Sequence, residues 1–323
     1  MKFVFHAIAW AATLFSLALP AGALAQDFPA KPVRIIVPNA AGAGTDTLAR
    51  LFGQGLQEIW KQPVVVEYKP GAGMVVGTDY VAKSAPDGYT IALVQTAHVI
   101  NPSVRSNMPF DTSKDLSGVS LNTATHIVLL ATNSFEANSL KEVIALAKKQ
   151  PGKLSYASPG SGSAMHLTVE LLKSQAGIDI LHIPYKGNTV AFVDVMAGRV
   201  QFLVATLYGA MPYIKGGKLK AVAVSGPARA NAAPDIPSVA ETLPGFDVRS
   251  VSGMVVPSAT PRNVVRKISA DVNAVLKQPS VQASLAKLGL EPVGSTPEQF
   301  DAYIKAEVEK WAKVVKAAGA KAD

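Results

Sequence analysis

The fold of this chain is decided by the stretch VRIIVPNAAGAGTDTLAR, residues 33–50, which reads as a strand, a loop and a helix in succession. Residues 33–38 are almost continuously apolar, as expected of a strand buried on both faces of a parallel sheet. Residues 39–46, called here the first glycine loop, contain Gly42 and Gly44, and a helical pattern covers residues 45–60. Glycine lets the backbone approach a ligand, and the first N–H groups of a helix have no internal partner. The stretch therefore predicts a turn that can hold an anion.

A second stretch with the same order lies in the other half of the chain. Residues 154–157 read as a buried strand, residues 158–163 (SPGSGS) form the second glycine loop, and residues 166–176 read as a helix. Two such loops facing each other would hold the carboxylate of a small anion with main-chain donors and helix dipoles. Such a site requires no catalytic side chain.

Strands and helices alternate along most of the chain, which predicts an α/β fold with parallel sheets covered on both faces. Residues 225–246 are rich in proline and alanine and are predicted to return the chain from one domain to the other. Residues 120–125 are predicted to make the outward crossing. The other strand candidates are residues 64–67, 90–94, 126–131, 180–183, 200–205, 219–224 and 251–256, and the other helical patterns are residues 140–149 and 190–197.

The chain closes with two well-marked helices. Thr260-Pro261 is expected to open the first as an N-cap followed by proline at the first helical position. Thr296-Pro297-Glu298-Gln299 has the pattern of a capping box for the last helix. The apolar faces are Val264, Ile268, Val272 and Val275 on one helix and Phe300, Ile304, Val308, Trp311 and Val315 on the other.

Residues 1–25 have the pattern of a secretory signal peptide. Lys2 supplies the positive start, residues 3–19 the apolar run, and Ala23-Leu24-Ala25 a cleavage motif after Ala25. An uncleaved membrane anchor is the alternative, but the apolar stretch is short for one. We therefore expect an exported protein.

Composition excludes several classes of function. The chain has no cysteine, which removes disulfides, a thiol nucleophile and thiolate metal sites, and 323 residues suffice for two ordinary cores without disulfides. The formal net charge is +8, but the basic residues are scattered with little aromatic interleaving. Nucleic acid is therefore not expected as a partner, and an anionic small molecule is.

Polar side chains near the two loops allow more than one interpretation. Asp46 would serve a ligand amine or brace its own loop. His166 would donate into the cleft, or form a catalytic pair with Ser163, although helix capping explains the serine more simply. His98 follows a strand and is expected to reach the mouth of the cleft. His182 is expected to be a paired core or edge residue.

Other kinds of site have little support in the sequence. Neither glycine-rich stretch of the first half has the full spacing of a dinucleotide fingerprint, and the second glycine loop lacks G-x-S-x-G. The histidines lack the H-E-x-x-H spacing of a zinc site. No cofactor and no metal are expected.

Several separate motifs between residues 28 and 316 resemble one family. The chain is similar to the Bug-type periplasmic solute-binding proteins of tripartite tricarboxylate transporters, the TctC-like family. The motifs are Pro29-x-Lys31-Pro32-Val33-Arg34-Ile35-Ile36-Val37-Pro38, Thr45-Asp46-x-x-Ala49-Arg50, Pro70-Gly71-Ala72-Gly73, Ala85-Pro86-Asp87-Gly88-Tyr89-Thr90, Tyr156-Ala157-Ser158-Pro159-Gly160-x-Gly162-Ser163, His182-Ile183-Pro184-Tyr185-Lys186-Gly187 and Pro234-Asp235-Ile236-Pro237.

The resemblance implies a monomeric type II-like periplasmic binding protein with two lobes, each a mostly parallel sheet flanked by helices. It implies lobe boundaries at residues 26–124 plus 247–323 and at residues 125–246, with a small carboxylate bound between the lobes and delivered to a membrane permease. Two alternatives stay open: an exported hydrolase or isomerase using Ser163 and His166, and a ligand-sensing subunit for a signalling partner. The candidate ligand-binding residues are Asn39, Ala40, Ala41, Gly42, Thr45, Asp46, Thr96, His98, Ser158, Gly160, Ser161, Gly162, Ser163, His166, Tyr185, Lys186, Gly187 and Thr206.

The chain also departs from the family pattern near the expected site. Asn39 stands where an aromatic or hydrophobic residue is usual, and Ala43 replaces a usual second glycine. Val251 and Ser252 stand where a tryptophan is frequent. These changes leave binding by the loop backbone possible but alter the size of the pocket and its specificity.

Overall fold

The structure is a computed structural model that describes residues 28–41 and 44–321. The predicted signal peptide and Gly42 lie outside the described residues. Among the helices of the described part, none is both long enough and apolar enough to cross a membrane.

Within the described residues, ten strands and ten helices alternate along the chain. The strands are β1 (Val33–Val37), β2 (Val64–Tyr68), β3 (Thr90–Gln95), β4 (Leu116–Thr132), β5 (Ser155–Ser158), β6 (Leu181–Pro184), β7 (Phe202–Thr206), β8 (Leu219–Val224), β9 (Arg249–Pro257) and β10 (Glu291–Pro292). The helices are α1 (Gly44–Trp60), α2 (Val75–Ala82), α3 (Ala97–Val104), α4 (Leu140–Lys149), α5 (Ala164–Ala176), α6 (Asn188–Met196), α7 (Leu207–Lys215), α8 (Arg262–Leu276), α9 (Pro279–Lys287) and α10 (Pro297–Ala318).

The described strands join into one curled sheet in the order β2-β1-β3-β9-β4-β7-β5-β6, with β8 and β10 also paired to β4. The outer parts are parallel, since β1 pairs with β2 and β3, and β5 pairs with β6 and β7. All pairs made by β4 and β9 are antiparallel. The α/β prediction is confirmed. Each lobe contains a parallel set of strands, and the two strands that join the halves run antiparallel to their neighbours, so the sheet as a whole is mixed.

Strand β4 belongs to both halves of the sheet. It pairs with β9 from Leu116 to His126 and with β7 and β8 from Ile127 onward. The strands on the β9 side of this change of partner, with the helices packed on them, are called here the first lobe. The strands on the β7 and β8 side, with their helices, are called the second lobe. Residues 120–125, predicted to make the outward crossing, form part of strand β4, because β9 satisfies their backbone groups. The exact lobe boundaries remain a prediction.

Three apolar clusters fill the part of the molecule that the structure describes. One packs the strands of the first lobe on α1 and α8, through side chains such as Phe52 and Ile268. Another lies under α6 in the second lobe. The largest contains Tyr156, Phe300 and Trp311 and spans both lobes. Helix α10 contacts α3 in the first lobe and α5 in the second, so it packs against both lobes.

Local signals predicted some helix ends correctly and others not. The capping box at Thr296 and Gln299 is confirmed, and so is the burial of Trp311. At α8, however, Pro261 itself occupies the N-cap position, and the buried Thr260 hydroxyl has no hydrogen-bond partner among the described residues. The predicted Thr260 cap is therefore wrong.

Candidate functional site

The two glycine loops lie at sheet edges that face the same crossing segment. In the first lobe, β3 ends at Gln95, which pairs with Ser252, and Ser252 pairs with Thr123 of β4. In the second lobe, β7 ends at Thr206, which pairs with Ile127 of β4. The two pairings lie four positions apart on β4, a distance of about 13 Å along an extended strand. The carboxyl ends of both sets of parallel strands, where ligands bind in open α/β sheets, therefore converge.

A cavity of about 130 Å³ lies at this convergence. It draws its walls from both lobes and from the crossing segments of β4 and β9. Its lining residues are Leu48, Gln95, Thr123, Thr125, Thr206, Tyr208, Ser250, Val251, Ser252, Leu288 and Leu290.

The first glycine loop is tied to this cavity by Asn39. The Asn39 amide donates to the Thr45 hydroxyl over 2.7 Å and to the Gln95 side-chain oxygen over 3.2 Å. Thr45 is buried, whereas Ala40 and Ala41 are exposed. The side chain of Asn39 thus joins the end of β1, the first turn of α1 and the cavity wall.

Asp46 braces the start of α1. Its carboxylate accepts from Arg50 over 2.7 Å and from the Tyr68 hydroxyl over 2.6 Å. The bond to Asp46 raises the pKa of Arg50, and the same carboxylate raises the pKa of Tyr68. Of the two interpretations of Asp46, the structure therefore favours bracing of the loop.

The second glycine loop is held by its own serines. Gly160 and Gly162 have φ angles of 141° and 72°, which side chains rarely adopt. The Ser163 hydroxyl donates to the Gly160 carbonyl over 2.7 Å and accepts from the main-chain N–H of His166, so it caps α5. The buried Ser158 hydroxyl accepts from the Gly160 N–H over 3.2 Å. The geometry of this loop is therefore fixed before any ligand arrives.

Behind the second loop stands a stack of three rings. The imidazoles of His166 and His182 lie 3.9 Å apart between centroids, and the Tyr156 ring lies 4.9 Å from that of His182. Tyr156 is fully buried and donates its hydroxyl to Glu170 over 2.7 Å. Burial and the Glu170 carboxylate raise the pKa of Tyr156. His182 Nε2 lies 2.6 Å from the Ser158 hydroxyl, so the stack supports the loop directly, and the prediction of a paired edge residue is confirmed.

His166 faces its own loop. Its Nδ1 atom accepts from the Gly162 N–H over 3.1 Å, and its Nε2 atom lies 3.9 Å from Glu170. The Ser163 hydroxyl contacts the main chain of His166 and not the imidazole in any bond the structure gives. Of the two serines, Ser163 caps α5 and Ser161 does not. Ser163 and His166 do not have the geometry of a nucleophile and its base.

The turn after β6 contacts the second loop. The main-chain N–H groups of Tyr185 and Gly187 donate to carbonyls of that loop. The Tyr185 hydroxyl donates to Asp194 over 2.7 Å, and burial together with this bond raises the pKa of Tyr185 to about 12. Arg199 and Tyr185 together lower the pKa of Asp194. Lys186 is exposed on the same turn.

Three further candidates have other positions. The Thr96 hydroxyl accepts from the Val251 N–H over 2.9 Å and is buried, so it joins β3 to β9. His98 is only 3% exposed, stacks on Phe110 and does not line the cavity, which speaks against a place at the cleft mouth. Thr206 caps α7 and does line the cavity.

Sequence reasoning missed several residues at this site. Gln95 was detectable, because it ends a strand next to the first loop. Leu288 and Leu290 carry no local signal, since the segment after α9 reaches the cavity only through tertiary packing. Within residues 28–41 and 44–321, no group of three or more metal-ligating side chains is placed to hold an ion.

Comparison with known proteins agrees with this architecture. The family model described as "Tripartite tricarboxylate transporter family receptor" matches residues 48–320. The chain is 34% identical over 300 residues to Protein BugT of Bordetella pertussis (strain Tohama I). The matched residues cover 92% of each of the two chains.

Two similar solved structures contain dicarboxylates. R. palustris Rpa4515 with adipate has a TM-score of 0.77 and 31% identity, over 91% of this chain and 99% of that one. MatC from Rhodopseudomonas palustris with bound malate has a TM-score of 0.72 and 30% identity, over 89% of this chain and 100% of that one.

The fold and its cleft define a two-lobed solute-binding protein. The chain belongs to the family of tripartite tricarboxylate transporter receptors, as the sequence motifs predicted. Because the family and its structural neighbours are solute-binding proteins, the hydrolase or isomerase alternative is wrong.

Proposed function

We propose that this protein is a periplasmic receptor that captures a small carboxylate between its lobes and delivers it to a tripartite tricarboxylate-type permease. Export would be directed by the signal peptide, with cleavage after Ala25, and the mature receptor would act as a monomer. The observation that carries the proposal is the convergence of the two sheet edges on residues 123–127 of β4. The dicarboxylates bound to the similar R. palustris proteins support a carboxylate ligand.

Main-chain donors would hold the carboxylate. The first N–H groups of α1 and α5 lack acceptors inside their helices, and both helix starts carry positive dipole ends. Each charge-assisted hydrogen bond contributes about 1.5–3 kcal/mol. Three or four of them, less the free energy lost on association, approach the ~8 kcal/mol of micromolar affinity.

Lobe closure would then follow from differential contacts. A ligand shifts an open–closed equilibrium only by the extra free energy of binding to the closed form. Contacts from the second glycine loop would supply that difference, since it lies across the crossing strands from the first. The closed form would present the surface that the permease recognises.

Ligand binding is the first test. The mature chain starting at Gln26 would be screened by thermal shift and titration calorimetry against malate, citrate, adipate, hexanoate, benzoate and acidic amino acids. A ligand at 100 times its Kd adds about 2.7 kcal/mol to the free energy of unfolding. We expect at least one carboxylate to do so and its neutral amide to fail. Failure of every carboxylate, or equal binding of the amide, would overturn the proposal.

A matched pair of glycine variants tests the second loop. Gly162, with a φ of 72°, precedes α5, and Gly177, with a φ of 62°, ends the same helix. Alanine at either position introduces similar backbone strain. Gly162→Ala should weaken carboxylate binding by about tenfold or more, because it displaces the donors at the helix start. Gly177→Ala should lower stability and leave the Kd unchanged. Equal Kd values for both variants would remove the second loop from the site.

Delivery needs a separate experiment. Cells lacking this receptor should lose uptake of the carboxylate identified by calorimetry, and the purified receptor should restore uptake to spheroplasts that contain the permease. Unchanged uptake with a changed transcriptional response would favour the ligand-sensing alternative.

A further inference from the structure

The cavity between the lobes is neutral. None of the described residues that line it carries a charge. Five of the lining side chains are aliphatic or aromatic: Leu48, Tyr208, Val251, Leu288 and Leu290. The part of a ligand that enters this space would leave water for an uncharged wall.

Several polar groups of the wall are paired within the protein. The hydroxyls of Thr123 and Ser252 lie 2.7 Å apart and bond each other. The Thr125 hydroxyl donates to the Gly289 carbonyl over 2.9 Å, and the Gln95 oxygen accepts from Asn39. These bonds occupy part of the hydrogen-bonding capacity of the wall, and the polar groups that remain are neutral, so the wall replaces only part of the water around a ligand anion.

Three cations on segments next to the first loop and the crossing strands also have partners. Arg50 is bonded to Asp46, the Lys69 ammonium lies 4.1 Å from the centre of the Tyr80 ring, and Arg249 contacts Asp247. The exposed Lys186 lies on the turn that contacts the second loop, beside the place proposed for the first carboxylate. A second carboxylate in the cavity would therefore lose its hydration without gaining a cation, which is strongly unfavourable.

The volume of the cavity indicates the size of the group that can enter it. Its volume is about 130 Å³. An apolar cavity of about 150 Å³ in another protein accommodates benzene. The space therefore suits a single ring or a chain of about six carbons.

Resting on the proposed function, we propose that this receptor selects a monocarboxylate whose neutral, apolar body of about six carbons fills the cavity between the lobes. The carboxylate stays at the glycine loops, and the body contacts the aliphatic wall. Dicarboxylates of the same length are discriminated against, in contrast to the adipate and malate held by the similar R. palustris proteins.

The test compares ligands that differ by one carboxylate. Titration calorimetry would measure hexanoate against adipate and benzoate against terephthalate, with hexanamide as the control that lacks an anion. We expect each monocarboxylate to bind at least about tenfold more tightly than its dicarboxylate partner. Tighter binding of adipate or terephthalate, or binding of malate or citrate with none of these four, would overturn this inference and leave the receptor proposal standing. Hexanamide binding as tightly as hexanoate would overturn the receptor proposal itself.

A cation placed in the wall should cancel the preference. Leu288 is half-buried at the cavity, whereas Leu181 is 57% exposed at the start of the edge strand β6. Leu288→Lys should tighten adipate relative to hexanoate by about tenfold, because it supplies a partner for the second carboxylate. Leu181→Lys adds the same charge elsewhere and should leave the ratio unchanged. A ratio that moves equally in both variants, or in neither while both remain folded by circular dichroism, would contradict the neutral-cavity inference.

Discussion

The two glycine loops occupy equivalent places in the two lobes, but they are braced in opposite ways. The first is held by polar side chains near solvent, where the Asp46 carboxylate accepts from Arg50 and Tyr68. The second rests on buried rings, with Tyr156 fully excluded from solvent and stacked toward His182. Both arrangements contain a tyrosine hydroxyl bonded to a carboxylate, at 2.6 Å in the first and 2.7 Å in the second.

The difference separates binding from stability. A hydrogen bond near solvent replaces a bond to water and contributes little to stability. When a buried hydrogen bond is broken, the remaining polar group has no partner, and this lowers stability much more. We therefore expect changes behind the second loop to unfold the protein more easily than changes beside the first. The first loop should instead tolerate substitution and adjust its shape to the ligand.

The largest effect is expected from Tyr156→Ala. Removing a fully buried aromatic ring leaves a cavity, and such changes lower the free energy of unfolding by about 3–5 kcal/mol. Urea unfolding followed by circular dichroism would measure it. The control Tyr156→Phe keeps the ring and loses only the bond to Glu170, so it should cost about 1–3 kcal/mol. Equal losses in the two variants would show that the ring stack does not support the second loop.

The histidines extend the comparison to pH. Neither ring nitrogen of His98, in the first lobe, has a hydrogen-bond partner among the described residues, whereas His166 and His182 both have partners. Burial lowers the pKa of His98 from 6.5 to about 4. The unfolded chain therefore binds a proton before the folded one does, and stability falls as the pH drops from about 6.5 to about 4. The loss should approach about 3 kcal/mol.

His98→Phe should remove most of this acid-dependent loss. Unfolding free energies would be measured in urea at pH 7 and at pH 4.5 for both proteins. Burial also lowers the pKa of His126, so a smaller acid loss should persist in the variant. A variant that loses as much stability as the parent between these pH values would contradict the assignment to His98.

A smaller effect is expected from the cap of α5. The Ser163 hydroxyl accepts from the His166 N–H, and replacement of an N-cap serine by alanine typically costs about 1 kcal/mol. Ser163→Ala should lower the urea midpoint accordingly, while Ser163→Thr should retain most of the cap. If alanine and threonine give the same urea midpoint, neither the cap bond to His166 nor the bond from Ser163 to the Gly160 carbonyl contributes to stability.

The elements whose formation depends on neighbouring residues were predicted correctly from the sequence. The glycine loops, the strands leading into them and the capping box at Thr296 follow from neighbouring residues. The first half of β4 was missed, because polar residues such as Asn122 and Thr123 resemble a loop until β9 pairs with them. The position of His98 and the stacking of His182 on His166 depend on packing between distant segments. No spacing within the sequence carries that information.

The smallest effect should come from Tyr68→Phe, the counterpart of Tyr156→Phe in the first lobe. The hydroxyl of Tyr68 bonds Asp46, but Arg50 bonds the same carboxylate and water can reach this edge of the loop. The melting temperature should therefore fall less than it does for Tyr156→Phe. In 1 M salt the fall caused by Tyr68→Phe should become smaller still, because salt screens the Arg50 pair. Differential scanning calorimetry of both variants at low and high salt would measure this. Equal shifts at low salt would mean that the first loop is braced as rigidly as the second, and the contrast between the lobes would then be a matter of chemistry but not of stability.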